Sequence, residues 1–458
     1  MHVGVKPQSS PISFDQIEGN LGATMSSALR RLENSYRPWR KFSHAARDLG
    51  VDPTEAWSLV KQSRLHNWVC LPLSLDGGER VGFSQTPLLA RPLHLIDRST
   101  GDDPLGGIAG PSASVGLRKQ LRAMLREGEA SMGPLIAATI MDEAIESSLI
   151  EGASTTRSEA IAMLRDGRGP RTLGERMVAN NLAGMHFVKD SLDRPLSAEL
   201  LRKLHTTLCE RTLGDESACG RFRLESENIL AVDGRDSSTI HVLPHAANIS
   251  TLISKLCAFA NDTSDEPFIH PIVRASILHF MLGYIHPFVD GNGRTARALF
   301  YWQALRSGYS IFEFLSISTI IRQGFAKYPH AYMDSEQDDG DLTYFIMFQL
   351  DVVTQAIQAF GEHVKRQAER LRESKRFLTL SKDLNLRQTL VLSHSIGHPG
   401  TLYTVLTHSN SNNITKVTAR NDLEDLVRRK LMTTSKRGKE VIYHPASTLR
   451  ARLDRKSR

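Results

Sequence analysis

The chain has 458 residues, of which 40% are hydrophobic and 23% charged, and a formal net charge of +7. This is the profile of a soluble globular protein of two or three domains. It contains no uninterrupted apolar run of membrane-spanning length and no opening pair of a charged and an apolar stretch. Cys70, Cys209, Cys219 and Cys257 have no C-x-x-C spacing, so a cytoplasmic protein with reduced thiols, no zinc site, no disulfide framework and no membrane contact is expected.

The first hundred residues predict a helix over Pro53 to Leu65 and short apolar strands around Val69 to Leu73 and Val81 to Phe83. Asp97 to Ser114, rich in Gly, Pro and Asp, is the best linker candidate. A helix should then run from about Pro134 to the Ser147-Ser148-Leu149-Ile150-Glu151-Gly152 stretch, with Gly152 at its C-terminal end. A Glu closing a helix meets the negative end of the dipole, and a nearby cation would relieve it. From Ile229 to Pro244, the Asp233-Gly234 turn signal and the run Thr239-Ile240-His241-Val242-Leu243 read as a hairpin.

Ile272 to Ile285 is apolar enough for a buried helix, which Pro287 should end; Arg294 to Leu305 reads as the next one. Between them lies the most informative stretch, His286-Pro287-Phe288-Val289-Asp290-Gly291-Asn292-Gly293-Arg294-Thr295-Ala296-Arg297. The Gly291-Asn292-Gly293 turn offers free N–H groups at a helix N-terminus, which is an anion cradle. Arg294 and Arg297 stand where the dipole disfavours cations, so they want an anion, and their forks suit phosphate or carboxylate. Asp290 is placed to hold a hard cation such as Mg²⁺, and His286 to act as general base.

The basic character sits at the C-terminal end. Gly361 to Arg458 holds 21 Lys and Arg against 9 Asp and Glu, a net of +12, which leaves −5 for residues 1 to 360. Asp351 to about Leu378 predicts an amphipathic helix whose later half carries Lys365, Arg366, Arg370, Arg372, Lys375 and Arg376. Helices follow over Leu386 to Ser395, Leu402 to His408 and Thr415 to Lys430, separated by Gly397 and Pro399 and by the turn Ser409 to Asn413. Leu431 to Tyr443 then reads as two strands around Lys436-Arg437-Gly438-Lys439.

The stretch from His286 to Arg297 resembles the pattern His-x-Phe-x-[Asp/Glu]-Gly-Asn-Gly-Arg-x-x-Arg of the Fic family, matching every specified position. The resemblance implies a compact helical core and transfer of AMP from ATP to a protein hydroxyl. It implies that His286 deprotonates the attacking Ser, Thr or Tyr, and that Asp290 binds Mg²⁺. Gly291, Asn292, Gly293, Arg294 and Arg297 would bind the phosphates, and Phe288 would anchor the loop. Gly220-Arg221-Phe222-Arg223 resembles the element before that family's target-binding flap, which makes Thr239, Ile240, His241 and Val242 candidates for pairing with an extended target. Ser147 to Gly152 resembles the inhibitory motif [Ser/Thr]-x-x-x-Glu-[Gly/Asn] of autoinhibited members, with Ser147, Glu151 and Gly152 in the specified places. By that resemblance Glu151 pairs with Arg297 and competes with the γ-phosphate, and some such members dimerise.

The three C-terminal helices and basic hairpin resemble a winged helix-turn-helix domain, with Lys416, Thr418, Arg420 and Asn421 on or near a recognition helix and Asp422, Glu424 and Asp425 diluting its charge. The expected fold is therefore mostly α. A residue 1–110 extension with α and β elements precedes a Fic domain over 111–360, which contains the inhibitory helix (about 134–152) and the motif (286–297). A linker helix and winged-helix-like domain fill 361–458. Three readings follow. They are an autoinhibited protein adenylyltransferase acting on a target or on itself, an enzyme that removes AMP with Glu151 positioning water, and a nucleotide-responsive DNA-binding regulator.

Overall fold

The computed structural model describes residues 23–100, 129–227, 231–232, 239–241, 243–264, 266–380, 384–397, 401–412, 414–437, 440–447 and 449. Helices dominate, and the sheets among the described residues are three two-stranded antiparallel hairpins. The chain forms two compact units, Met1–Phe360 and Gly361–Arg458.

In the first unit α1 (Ala23–Glu33), α2 (Trp39–Asp48) and α3 (Pro53–Leu65) enclose a small core of Leu32, Phe42, Trp57 and Val60. Helix α3 starts where the sequence dictates, because Asp52 accepts hydrogen bonds from the N–H groups of Thr54 and Glu55, and Pro53 fills N1. Strands β1 (Trp68–Ser74) and β2 (Arg80–Ser84) pair in register Trp68 to Ser84. Leu71, Leu73, Val81 and Phe83 turn into the main core rather than forming a layer of their own.

Helix α4 (Pro87–Thr100) corrects one expectation: Asp97 to Thr100 are helical, not linker. Leu89, Leu93 and Ile96, at helical spacing, pack on the main core and carry the helix past the point where the composition turns to Gly and Pro. The rest of the expected linker, 101–114, lies outside the described residues.

Then come α5 (Glu129–Ile150), which starts earlier than Pro134, α6 (Arg157–Asp166), α7 (Leu173–Lys189) and α8 (Ala198–Cys209). Strands β3 (Ala231–Val232) and β4 (Thr239–His241) form the expected hairpin, with Ala231 opposite His241; its Asp233-Gly234 turn and Val242 lie outside the described residues. Helices α9 (Ile249–Asn261), α10 (Pro271–Ile285) and α11 (Asn292–Arg306) follow. Helix α10 is buried around its circumference, as an apolar helix without a polar face must be, and it packs along α11 at the centre of the unit. Phe280 and Phe300 are wholly buried there, each stabilising by about 2–3 kcal/mol. Helices α12 (Ile317–Gln323), α13 (Lys327–Gln337) and α14 (Thr343–Leu380) complete the series, and Phe345, Ile346, Leu350 and Val353 of α14 enter the same core.

The second unit holds α15 (Leu386–Gly397), α16 (Val405–Asn412), α17 (Lys416–Arg428) and the hairpin β5 (Met432–Arg437) and β6 (Glu440–Pro445). Val391, Leu392, Leu423, Leu426, Met432 and Tyr443 form its core. Helix α16 differs from the expected Leu402 to His408. Tyr403 exchanges backbone hydrogen bonds with Tyr443, and Thr404 Oγ1 accepts from the N–H of Thr407, so the helix begins after Thr404. It continues to Asn412, whose side chain donates to His408 O, so most of the expected turn is helical.

Candidate active site

The loop between α10 and α11 is tied down by its own residues. His286 has left-handed backbone angles (φ 48°, ψ 56°), which cost a non-glycine residue about 1 kcal/mol or more. The Arg223 main chain and guanidinium hold it there: N–H donates to Pro287 O at 2.8 Å, Nε to His286 O at 2.8 Å and Nη2 to Pro244 O at 2.5 Å. His286 Nδ1 lies 3.2 Å from Gly283 O, so Nδ1 carries the proton and Nε2 is the basic nitrogen. The Asn292 side chain closes the loop, accepting from Phe288 N–H at 3.0 Å and donating to Phe288 O at 2.8 Å. Its amide is committed to shape, and only its backbone can face an anion. Phe288 is wholly buried between His205 and Phe222.

The two glycines have separate reasons. Gly291 has φ 79°, and a Cβ there would come within 2.3 Å of Cys209 Sγ. A Cβ on Gly293 would come within 2.3 Å of Glu151 Oε1 and 3.1 Å of Arg297 Nη1. The Glu151 carboxylate therefore lies directly on the glycine turn.

Helix α5 delivers that carboxylate. Its C-terminal end is capped at Gly152 (φ 82°), and Ala153 N–H donates to Ser148 O. Arg297, 1% exposed, donates from Nε to Ser147 Oγ at 2.9 Å and from Nη2 to Ser147 O at 3.0 Å and Glu151 Oε1 at 2.9 Å. Burial pulls the Arg297 pKa down, but Glu151, Tyr328 and Glu143 together outweigh this and the pKa is raised, so the cation is secure. Arg294 is equally buried. Its Nη1 donates to Leu208 O at 2.9 Å, and its Nη2 lies 3.7 Å from Asp290 Oδ2. Arg294 Nε and Nη2 and Arg297 Nη1 have no hydrogen-bond partner, an unusual concentration of orphaned buried donors. A cavity of about 10 Å³ bounded by Ser147, Asn181, Arg294 and Arg297 has room for one water and none for a phosphate.

The structure thus brings together His286, Asp290, Gly291, Asn292, Gly293, Arg294, Arg297, Ser147, Glu151 and Gly152, from segments more than a hundred residues apart. Thr239, Ile240 and His241 lie in β4. Lys416, Thr418, Arg420 and Asn421 lie in the other unit, on α17, with Thr418 half-buried and the other three exposed.

Of the carboxylates expected to dilute the charge of that helix, Asp422 is turned inward, whereas Asp425 pairs with the helix's own Arg429. Asp422 is buried against Arg387 at 2.7 Å and Asn385 at 2.7 Å, and Asp425 accepts from Arg429 at 2.7 Å and Gln388 at 2.9 Å.

Sequence reasoning missed two residues that matter here. Glu143 anchors α5: it accepts from Tyr301 Oη at 3.0 Å, Ser316 Oγ at 2.9 Å, Ser318 N at 3.0 Å and Ser318 Oγ at 2.5 Å. His205 supports the loop from α8. Neither stands in a pattern that periodicity or spacing would single out.

Residues 195–304 match the Fic/DOC family. The protein adenylyltransferase Fic of Drosophila virilis is 30% identical over 189 residues, 40% of this chain and 34% of that protein. The protein of the same name from Culex quinquefasciatus is 31% identical over 123 residues, 26% of this chain and 22% of its own. The chain spans about a third or less of the length of these curated relatives. Among solved structures, a Fic family protein from Desulfovibrio desulfuricans aligns at 20% identity and a TM-score of 0.47, over 80% of this chain and 98% of its own. Fic-1 from C. elegans aligns at 19% identity and a TM-score of 0.43, over 75% and 99%. The span that holds the Gly220–Arg223 element, the β3–β4 hairpin and the loop from His286 to Arg297 is a Fic domain.

Proposed function

We propose that this chain is a protein adenylyltransferase that moves AMP from ATP to a Ser, Thr or Tyr hydroxyl of a target or of itself, and that Glu151 holds it in check. One observation carries the reading: a carboxylate, Glu151, rests on Gly293 and on Arg297 Nη2, in a cradle of helix N-terminal amides and buried guanidinium groups with orphaned donors. A site built for an anion is filled by the chain's own anion.

With Glu151 displaced, the cradle takes the phosphates of ATP. His286 Nε2 accepts the proton of the attacking hydroxyl. The hydroxyl oxygen bonds to the α-phosphorus as the bond to the β-phosphate oxygen breaks, and pyrophosphate leaves with its charge met by Arg294 and Arg297. Asp290 fits a Mg²⁺ ion: its side chain is 55% exposed, with Oδ1 accepting from Gly291 N–H and Oδ2 lying 3.7 Å from Arg294 Nη2. Among the described residues no group of three or more ligating side chains could hold a metal alone, so such an ion would rely on Asp290, phosphate oxygens and water. When bound, it would draw charge from the phosphates.

Strands β3 and β4 support the docking role of Thr239, Ile240 and His241, since a two-stranded hairpin offers an edge to an extended target. For the second unit we propose a winged helix that contacts DNA phosphates. Lys416 and Arg420 are exposed on α17, while Asp422 and Asp425 are engaged with partners of their own.

Intact-mass analysis of Glu151→Gly incubated with Mg²⁺ and each nucleotide in turn tests the enzyme reading. The expected product is an AMP adduct that the further change His286→Ala removes. No adduct on the protein or on any added target, or a transferred group other than AMP, overturns it. A salt-dependent gel shift on duplex DNA, weakened by Lys416→Ala and Arg420→Ala, tests the second; no shift at low salt refutes it.

A further inference from the structure

His205 lies in α8, far in sequence from the His286–Arg297 loop, yet both its ring nitrogens are tied to the backbone of the site. Gly220 N–H donates to Nδ1 at 3.0 Å, so the ring's proton sits on Nε2, which donates to Asp290 O at 2.8 Å. The ring also lies flat on Phe288, with centroids 3.8 Å apart and planes 6° from parallel. A Cβ on Gly291 would come within 3.4 Å of Nε2. Burial pushes the His205 pKa down to about 4, so the neutral tautomer persists at physiological pH.

The carbonyl that His205 grips shares one planar peptide unit with Gly291 N–H. That N–H in turn donates to Asp290 Oδ1 at 2.5 Å. Fixing the carbonyl therefore fixes the first amide of the cradle and one oxygen of the only acidic side chain in the loop. Through Nδ1, the same ring ties this plane to the Gly220–Arg223 element, whose arginine holds the His286 and Pro287 carbonyls.

We propose that His205 is a positioning residue: it orients the Asp290–Gly291 peptide, and with it the carboxylate and amides that receive the metal and phosphates, against the strut that holds His286. This rests on the adenylyltransferase reading above.

Two near-isosteric changes separate the two bonds. His205→Gln can return an amide N–H to Asp290 O, and His205→Asn can reach only Gly220. In the full-length Glu151→Gly, His286→Ala background, calorimetric titration with ATP should show Mg²⁺-dependent affinity that survives His205→Gln. His205→Asn should lower it by about tenfold to about a hundredfold, as losses of groups behind a metal ligand commonly do. Titration without metal should differ less between the two variants. Hydrogen exchange of the nucleotide-free proteins gives a second readout: the 288–295 amides should exchange faster in Asn than in Gln, with the melting temperatures of the two alike. Equal affinities and equal exchange in the two variants would overturn the proposal. If the background protein binds no ATP while the exchange difference is present, the enzyme reading fails and the positioning of the loop stands.

Discussion

Glu151→Gly removes the carboxylate that is hydrogen-bonded to Arg297, and the size of the effect follows from the contact. The guanidinium is wholly buried, the carboxylate is 23% exposed, and they meet at 2.9 Å. A charge-assisted hydrogen bond in such a setting holds about 2 kcal/mol beyond what water offers. If ATP enters only when that bond is open, the open fraction is about 1 in 30 and the apparent affinity is weakened about 30-fold. Glu151→Gly should restore this factor and raise self-labelling by a similar amount at subsaturating ATP. Adding His286→Ala should abolish labelling and leave the tightened binding intact. The variant should also melt at a lower temperature when empty, because Arg297 keeps a buried charge without its counterion, and should gain more from ATP than the parent does. Calorimetry and radiolabelled ATP measure both sides. An affinity within a factor of about two of the parent's would refute the competition between carboxylate and phosphate.

Glu143→Ala should cost about 2–4 kcal/mol, because both the N–H and the hydroxyl of Ser318 lose a buried acceptor, and should raise basal labelling as α5 loosens; a lower urea midpoint without added labelling would separate anchoring from inhibition. Gly291→Ala, which must hold φ 79° and press on Cys209, should destabilise by about 1–3 kcal/mol and impair ATP binding, both readable by thermal shift with and without nucleotide. Because the folded pKa of His205 is lowered to about 4, its contribution is complete above the unfolded value of about 6.5 and is lost as pH falls toward 4. The urea midpoint should drop between pH 7 and 5, and His205→Gln should flatten that slope; an unchanged slope rules His205 out as its source. Asp422 has a lowered pKa, its burial outweighed by hydrogen bonds from Arg387, Asn385 and His408, so its stabilisation is complete above about pH 4 and falls away as pH drops through the lowered value. Asp422→Asn should therefore expose the 416–445 amides to exchange at neutral pH and make them less sensitive to acid.

The parts of the site that were legible in the sequence are those whose chemistry is local. Gly291 must turn before a helix, and Arg294 stands in that helix's first turn where a cation needs an anion, so much of the loop could be read without its surroundings; the helix begins at Asn292 rather than at Arg294, because Gly291 alone supplies the left-handed cap, and Arg297 falls in the second turn. The hairpin β3–β4 and the exact span of α3 were legible for the same reason, since Asp52-Pro53 caps the helix within three residues. What the sequence could not carry was the meeting of segments distant along the chain. His205 looks like any residue on the inner side of an amphipathic helix until Gly220 and Asp290 are placed on its two nitrogens. Glu143 looks like a solvated carboxylate until Ser316 and Ser318 arrive from the start of α12. Asp422 looked like a charge on an outer face because its partners, Asn385 and Arg387, come from another part of the unit. Composition misled at Asp97 to Thr100 for a related reason: Ile96 finds the core, and tertiary burial outweighs the local preference for a turn.

Arg297 joins these two kinds of information. Its position near a helix start says that it wants an anion, and nothing local says which one. With Ser147 taking Nε and sharing Nη2, the guanidinium is fixed in place whichever anion is present, so the site does not need to reorganise to exchange them. Nη1 and the two orphaned nitrogens of Arg294 are donors that Glu151, reaching only Nη2, leaves unused. A phosphate has more oxygens than a carboxylate and could satisfy several of them at once. On the proposed reading, the restraint is therefore of limited strength, held by one hydrogen bond against a ligand able to make more. That is the arrangement expected of an inhibitor that nucleotide and a change at the end of α5 can together displace.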